Sequence, residues 1–294
     1  MLSTYAVIYI NKHFTPRYNI VIMRAHTTEK KRDDLRRRLK ERWKLLVAFS
    51  GGVDSGFLLM AAHDVLGENV LAVTIDSEQF PRRDLEHVRS FLKRTGIAHK
   101  IVQFSWMRTD DFVRNPYNRC YHCKKALLQI LKDVAAEAGI RTIAEGVNAS
   151  DFDEYRPGIA AAAEEGIWHP LAEVGLTKPE VRWLAKEIRL PFWDKPPSPC
   201  LATRIAYGEQ ITVEKLAMIE AGEDALKDLG FRQVRVRLHH GGIARIEVEK
   251  EEIAVLFDMK TRAAICGKLK TLGFTYVTLD LEGYRSGSMD IGRL

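Results

Sequence analysis

The sequence predicts an α/β protein: a doubly wound parallel sheet followed by a smaller C-terminal α+β domain. Three observations predict it. Short apolar runs alternate with helical patterns through the first half, the first run closes on a glycine pair, and the pattern changes character after Gly208. Strands separated by helices of this length imply parallel pairing, because each crossover returns the chain to the same end of the sheet. At 294 residues, with 46% apolar and 29% charged residues, the chain can bury a real core and has an ordinary globular composition.

The first strand is "LLVAFS" (45–50), followed by the helical pattern "SGFLLMAAHDVLG". "NVLAVTID" (69–76) is the second strand, and "PRRDLEHVRSFLKRTG" the helix after it, with Pro81 at its start and Gly96 as its stop. "AHKIVQF" (98–104) is the third strand, "CKKALLQILKDVAAEAG" (123–139) a helix, and "RTIAEGVN" (141–148) the fourth strand. In such sheets ligands sit beyond the carboxyl ends of the strands, where Ser50, Asp76, Phe104 and Gly146 fall. Residues 150–207 are loop-rich, with seven prolines and one clear helix, "TKPEVRWLAKEIRL", capped by Thr177. The C-terminal part reads as a helix ("TVEKLAMIEAGEDALKDLG"), a hairpin turning at Gly241-Gly242, a second helix ("EEIAVLFDMKTRAAICGKLKTLG") and a last strand ("YVTLDLEG"). The expected division is a basic extension (1–44), a nucleotide-binding domain (45–208) and a C-terminal domain for substrate binding and oligomerisation (209–294).

The net charge of +6 first suggests nucleic acid, but its location argues otherwise. Residues 24–44 hold ten Lys/Arg against four Asp/Glu, which leaves the body of the chain near neutral. "EKKRDDLRRRLKERWK" reads as one solvated helix of mixed charge. Met23 is a second candidate start, and residues 1–22 are expected to be disordered or absent in the cell. No apolar run reaches the length of a membrane span and no signal peptide stands out, so a cytoplasmic protein is expected. Four cysteines in such a chain do not form a disulfide framework.

"SGGVDS" (50–55) carries the chemistry. Gly51 and Gly52 allow close approach of an anion, the helix start offers unpaired N–H groups, and Ser50 and Ser55 add hydroxyls. No G-x-x-x-x-G-K-[ST] is present, so this is not a Walker A loop. The stretch resembles the PP-loop of the ATP pyrophosphatase superfamily, of adenine nucleotide alpha hydrolase-like fold. That resemblance implies ATP with Mg²⁺, release of pyrophosphate and adenylation of the substrate, with Ser50, Gly51, Gly52, Asp54, Ser55 and Asp76 around the nucleotide.

Longer stretches narrow the substrate. "RNPYNRCYHCKK", "EGVNASDFDEYRPG" and the run from "HPLAEVGL" through "DKPPSPCLATRIAYGEQIT" resemble the LarE family. That resemblance covers Leu45 to the last strand. It implies adenylation of a carboxylate of pyridinium-3,5-biscarboxylic acid mononucleotide and its conversion to a thiocarboxylate for the nickel-pincer nucleotide cofactor. By position in the motif, Cys200 is the sulfur-bearing residue, with Lys195 and Arg204 as cationic neighbours that favour thiolate. Arg235 and Arg237 alternate along the hairpin strand "QVRVRLHH" and suit an anionic mononucleotide. Glu220 and Glu247 occupy acidic positions of the family, and Trp106 and Arg156 are further candidates for the substrate cleft.

Cys120 and Cys123 lie one helical turn apart in "NRCYHCKK". With Cys200 they could hold a 4Fe–4S cluster with one iron left open to bind and relay sulfide, as in one branch of the family. The alternatives are a single-use Cys200 that gives up its own sulfur, or zinc, for which His122 is badly placed. Cys266 reads as a core residue. A tRNA thiolase and a non-catalytic binding module are the competing functions. A homo-oligomer and a sulfide or sulfur-donor partner are implied by resemblance only.

Overall fold

The computed structural model describes residues 16–153 and 157–290, with side chains from residue 27 onward. Helix α1 (Pro16–Lys40) leads into β1 (Leu45–Ala48), α2 (Val53–Leu66), β2 (Val70–Asp76), α3 (Arg82–Thr95) and β3 (His99–Gln103). A short helix α4 (Asp110–Val113) precedes α5 (Arg119–Glu137) and β4 (Thr142–Glu145). Helices α6 (Pro157–Glu164), α7 (Pro170–Glu173) and α8 (Lys178–Glu187) follow, and then α9 (Val213–Asp228), β5 (Val234–His239), β6 (Ile243–Val248), α10 (Met259–Thr271) and β7 (Tyr276–Leu279).

The first four strands form one parallel sheet in the order β3-β2-β1-β4. The chain moves outward from β1 to β3 and then returns to β1's other side, so the strand order reverses between β1 and β4. That crevice is where open α/β sheets bind ligands. Central β1 is buried through Leu45, Leu46 and Val47, the continuous apolar run expected of a strand covered on both faces. β5, β6 and β7 form a second sheet, antiparallel between β5 and β6 and parallel between β6 and β7. Its core also takes Trp106, Phe112, Leu201 and Ile205 from earlier in the chain, which joins it to the loops of the first sheet.

Three local expectations need correction. The basic N-terminal helix is not solvated all round: Leu35 and Leu39 are fully buried against the first core, while its charges pair outward, as Lys31 does with Glu180 at 2.8 Å. The helix expected to start at Cys123 starts at Arg119, so Cys120 and Cys123 both lie at its amino end. The final helix is broken at Asp258, whose carboxylate accepts from the N–H of Thr261 (2.8 Å) and caps α10; the residues before it form a 3-10 turn. Thr177 stands at the N-cap of α8 as expected, and the structure adds Glu180 as its capping-box partner. No helix among the described residues is long and apolar enough to cross a membrane.

Candidate active site

The glycine-rich loop sits at the carboxyl end of β1. Gly51 has φ +70°, and a Cβ there would stand 2.6 Å from Val88 Cγ2, so the position requires glycine. Gly52 caps α2 without any side-chain hydrogen bond, which leaves the first-turn N–H groups uncapped by a side chain. The Ser50 and Ser55 hydroxyls lie 3.1 Å apart, and Ser55 Oγ also donates to the Gly52 carbonyl (3.2 Å). Across the crevice, Gly146 follows β4 so closely that a Cβ would meet Ser55 N at 2.5 Å. Both sides of the switch point are thus backbone surfaces packed without room for side chains.

Charged groups ring this loop. Asp54 is largely buried; burial and then the charge of Asp151 hold its carboxyl above the usual range, and Asn148 Nδ2 donates to it at 3.3 Å. Lys195 reaches in from the proline-rich segment: its Nζ lies 2.9 Å from Asp84 Oδ1 and donates to the Gly51 carbonyl at 3.3 Å. Burial pushes Asp84 up, but Lys195 and the Ser198 hydroxyl (2.7 Å) outweigh it and leave the carboxylate below its ordinary value. Arg182 fixes the same segment through the Trp193 and Lys195 carbonyls. Asp76 pairs with Arg82 at 2.6 Å, beside an open cleft of about 710 Å³ at the carboxyl ends of β2 and β3. Glu220 lines that cleft and accepts from the Arg82 backbone N–H.

Five residues beyond Lys195, the same segment ends at Cys200. Five extended residues span at most about 18 Å, so the loop's lysine and this thiol belong to one neighbourhood. None of the four cysteines forms a disulfide. Cys120, Cys123 and Cys200 lie near enough to interact electrostatically. Burial pushes the Cys123 thiol up to about 12, with Cys200 and Cys120 adding to it, and burial and then Cys200 raise Cys120, against which the adjacent Arg119 pulls downward. Among the described residues, no three His, Cys, Asp or Glu side chains converge closely enough to hold one metal ion. Gln79 ties the Cys123 thiol to the Cys200 loop: its side-chain Nε2 donates to Cys123 Sγ at 3.4 Å, and its backbone carbonyl accepts from the N–H of Leu201 at 2.9 Å. Arg119 stacks 4.7 Å from the Tyr207 ring centroid, and the Tyr207 hydroxyl donates to Asp290 at 2.9 Å.

Arg204 is buried and acts on the chain itself. It pairs bidentately with Glu223 (2.8 and 3.1 Å) and donates to the Pro199 and Cys200 carbonyls (2.6 and 3.0 Å), clamping the backbone that carries the thiol. The alternation of β5 suggested one apolar and one open arginine face; instead both faces are buried, with Arg237 only 5% exposed. The second face is covered by the segment that follows β7. Arg237 pairs with the fully buried Glu247 (2.8 Å) and with Ser288, and donates to the Thr203 carbonyl at 3.2 Å. Arg245 also pairs with Glu247, at 3.1 Å. Arg235 is different. It donates to the carbonyls of Val234 and Pro197 and lies 5.1 Å from the Tyr284 ring, and among the described residues no carboxylate forms an ion pair with it. Burial pushes its guanidinium down to about 10.

Residues 44–111 match the family model of the queuosine biosynthesis protein QueC. Over 262 residues the chain is 42% identical to an uncharacterised protein of Synechocystis, covering 89% of this chain and 97% of that one. It is 37% identical over 253 residues to the pyridinium-3,5-bisthiocarboxylic acid mononucleotide synthase of Lactiplantibacillus plantarum, covering 86% and 91% of the two chains. The chain belongs to the LarE family. A more distant likeness, 29% over 214 residues, is to one subunit of the glutamine-hydrolysing GMP synthase of Thermoplasma volcanium, with two thirds of each chain covered (67% and 66%). As a LarE with an intact PP-loop, this protein is an ATP-dependent sulfurtransferase.

The structure brings Ser50, Gly51, Gly52, Asp54, Ser55 and Lys195 together at the crevice, while Arg204, Arg235 and Arg237 donate to the backbone of the 197–203 segment that carries Cys200. Trp106 is withdrawn from the substrate cleft: it is fully buried between Phe104 and Phe112, and a ring with no exposed surface lines no cleft. Arg156 lies outside the described residues. Cys266 is half-buried on α10, away from the other three in sequence and not fully in the core. Asp84, Gln79 and Glu223 escaped the sequence reading. Each acts on a residue far along the chain, and only the position of Asp84 in the first turn of α3 hinted at a role.

Proposed function

We propose that this enzyme activates a carboxylate of pyridinium-3,5-biscarboxylic acid mononucleotide with ATP and converts it to a thiocarboxylate for nickel-pincer nucleotide biosynthesis. A carboxylate oxygen attacks the α-phosphorus, the bond to the β-phosphate breaks and pyrophosphate leaves; sulfur then attacks the acyl carbon and AMP leaves. The loop 50–55 cradles the phosphates through backbone N–H groups, with Asp54 and Asp76 facing the nucleotide and its Mg²⁺. Lys195, held by Asp84 against Gly51, stabilises the negative charge that develops as pyrophosphate departs.

The observation that carries the substrate assignment is Arg235, a buried guanidinium with no carboxylate ion pair among the described residues. Burying a cation is costly; Glu223 acts on Arg235 only from beyond ion-pair distance and is already engaged bidentately by Arg204, so an anionic ligand relieves the remaining cost. Its bond to Pro197 puts it on the loop that carries Cys200. Glu247 stands opposite Arg235 in the β5–β6 register and pairs with Arg237, and Glu220 lines the separate cleft beside Asp76.

The sulfur source in this reading is a 4Fe–4S cluster on Cys120, Cys123 and Cys200. What supports a shared site is that Cys123 and Cys200 pack against one apolar cluster and Gln79 contacts the segments of both, and thiolates are the usual ligands of such clusters. When bound, the cluster would supply sulfide on the iron that no cysteine holds. Arg204 orients the Cys200 backbone, and Arg119 and Gln79 offset the charge of the other two thiolates. The enzyme works as a homo-oligomer in a cytoplasmic setting that keeps thiols reduced, draws on sulfide or a sulfur donor, and uses residues 45–208 for activation and 209–294 for substrate binding.

The test is anaerobic incubation with ATP, Mg²⁺, sulfide and the dicarboxylate mononucleotide. The expected result is pyrophosphate in step with a thiocarboxylate identified by mass spectrometry. Pyrophosphate released only with tRNA, with sulfur on a base, would replace this substrate by a nucleic acid.

A further inference from the structure

Gln79 lies in the loop between β2 and α3, 7% exposed, and has two ties of different kinds. Its backbone carbonyl accepts from Leu201, the residue after Cys200 (2.9 Å), and its side-chain amide donates to Cys123 Sγ (3.4 Å). One residue therefore couples the helix that carries two thiols to the loop that carries the third. Its amide oxygen is buried without a hydrogen-bond partner among the described residues. Packing alone does not call for a glutamine there. A leucine or methionine would fill the space and leave no oxygen unpaired.

We infer that Gln79 is a positioning residue whose amide donor holds Cys123 Sγ in its ligating arrangement and stabilises negative charge on that sulfur; the inference rests on the three-thiolate reading above. A neutral donor adds no charge to the site, unlike Arg119 beside Cys120. Hydrogen bonds to ligand sulfur stabilise the more negative, reduced form of a cluster and so raise its reduction potential. They also keep the ligand oriented, which slows its loss.

The test uses full-length wild type, Gln79→Leu and Gln79→Met, reconstituted anaerobically with iron and sulfide. Iron per chain, the midpoint potential by a dye-mediated titration and the rate of cluster loss in air are measured, with circular dichroism to confirm folding. The expected outcome is a loaded wild type, and variants that load with a lower midpoint potential and lose the cluster severalfold faster. Two substitutions are used so that a folding failure in one leaves the comparison standing. Variants that match the wild type in both potential and loss rate overturn the role of Gln79 while leaving the three-thiolate reading intact. A folded wild type that takes up no iron overturns that reading and this inference with it.

Discussion

The phosphate loop and the thiol site are built in opposite ways. The loop is local: residues 50–55 bridge β1 and α2, and its working surface is backbone, shaped by glycines where any side chain would clash. The thiol site is assembled from segments far apart in sequence, at 79, 119–123, 200–204, 223, 235–247 and 284–290, held by buried side chains. A backbone site tolerates change around it but not within it. A side-chain site depends on every partner, because each buried charge removed leaves another unpaired.

The largest effect expected from this contrast is at Glu223, whose pair with Arg204 is 1–2% exposed. Glu223→Gln should cost about 3–5 kcal/mol, the typical result of leaving a buried charge without its partner. Burial alone would raise the Glu223 carboxyl, but Arg204 outweighs it and the pKa is lowered. A depressed carboxylate adds stability that is present above its unfolded value and is lost as pH falls through the folded one. Wild type should therefore lose stability below the ordinary carboxylate range near about pH 4, whereas Glu223→Gln is weaker at neutral pH and flatter in acid. Denaturant melts at several pH values check this. Identical pH profiles would show that the pair is not what holds the site.

Gly51→Ala tests the backbone site. The positive φ and the contact with Val88 should displace the loop, and a shift near 1 Å costs on the order of 100-fold in pyrophosphate release. The fold should survive, with a loss of about 1–3 kcal/mol for the strained conformation. Full activity in this variant would break the comparison on its other side.

The smallest effect sharpens the link between the two regions. Ser198 lies between Lys195 and Cys200 and donates to Asp84 at 2.7 Å. Ser198→Ala should cost only about 0.5–1.5 kcal/mol, because the serine is exposed, and slow thiolation more than pyrophosphate release. Equal slowing of both steps, read by product and pyrophosphate assays, would mean that the segment does not couple the sites.

The same contrast explains what was legible in the sequence. The parallel sheet and the 50–55 loop could be read because strand, turn and helix follow one another and the glycines mark the turn. The cysteines and arginines could be named but not placed. Alternation along β5 separates two faces but does not reveal that residues 284–290 cover the second one, so Arg237 is a buried ion-pair member and not an open anion contact. Asp84, Gln79 and Glu223 were invisible for a simpler reason. Lys195 contacts Asp84 across 111 positions and Gln79 contacts Cys123 across 44, distances at which local pattern carries no signal. The break at Asp258 was masked by an apolar pattern that continues through it.

In the proposed mechanism Cys120, Cys123 and Cys200 relay sulfur repeatedly and none is consumed. The direct measurement is iron content and Cys200 mass after many turnovers of anaerobically loaded protein, beside Cys120→Ala. A cluster relay gives about four irons per chain, many products per chain, an unchanged Cys200 and no repeated turnover in Cys120→Ala. Loss of sulfur from Cys200 in step with a single product, without bound iron and with Cys120→Ala as active as wild type, would contradict it.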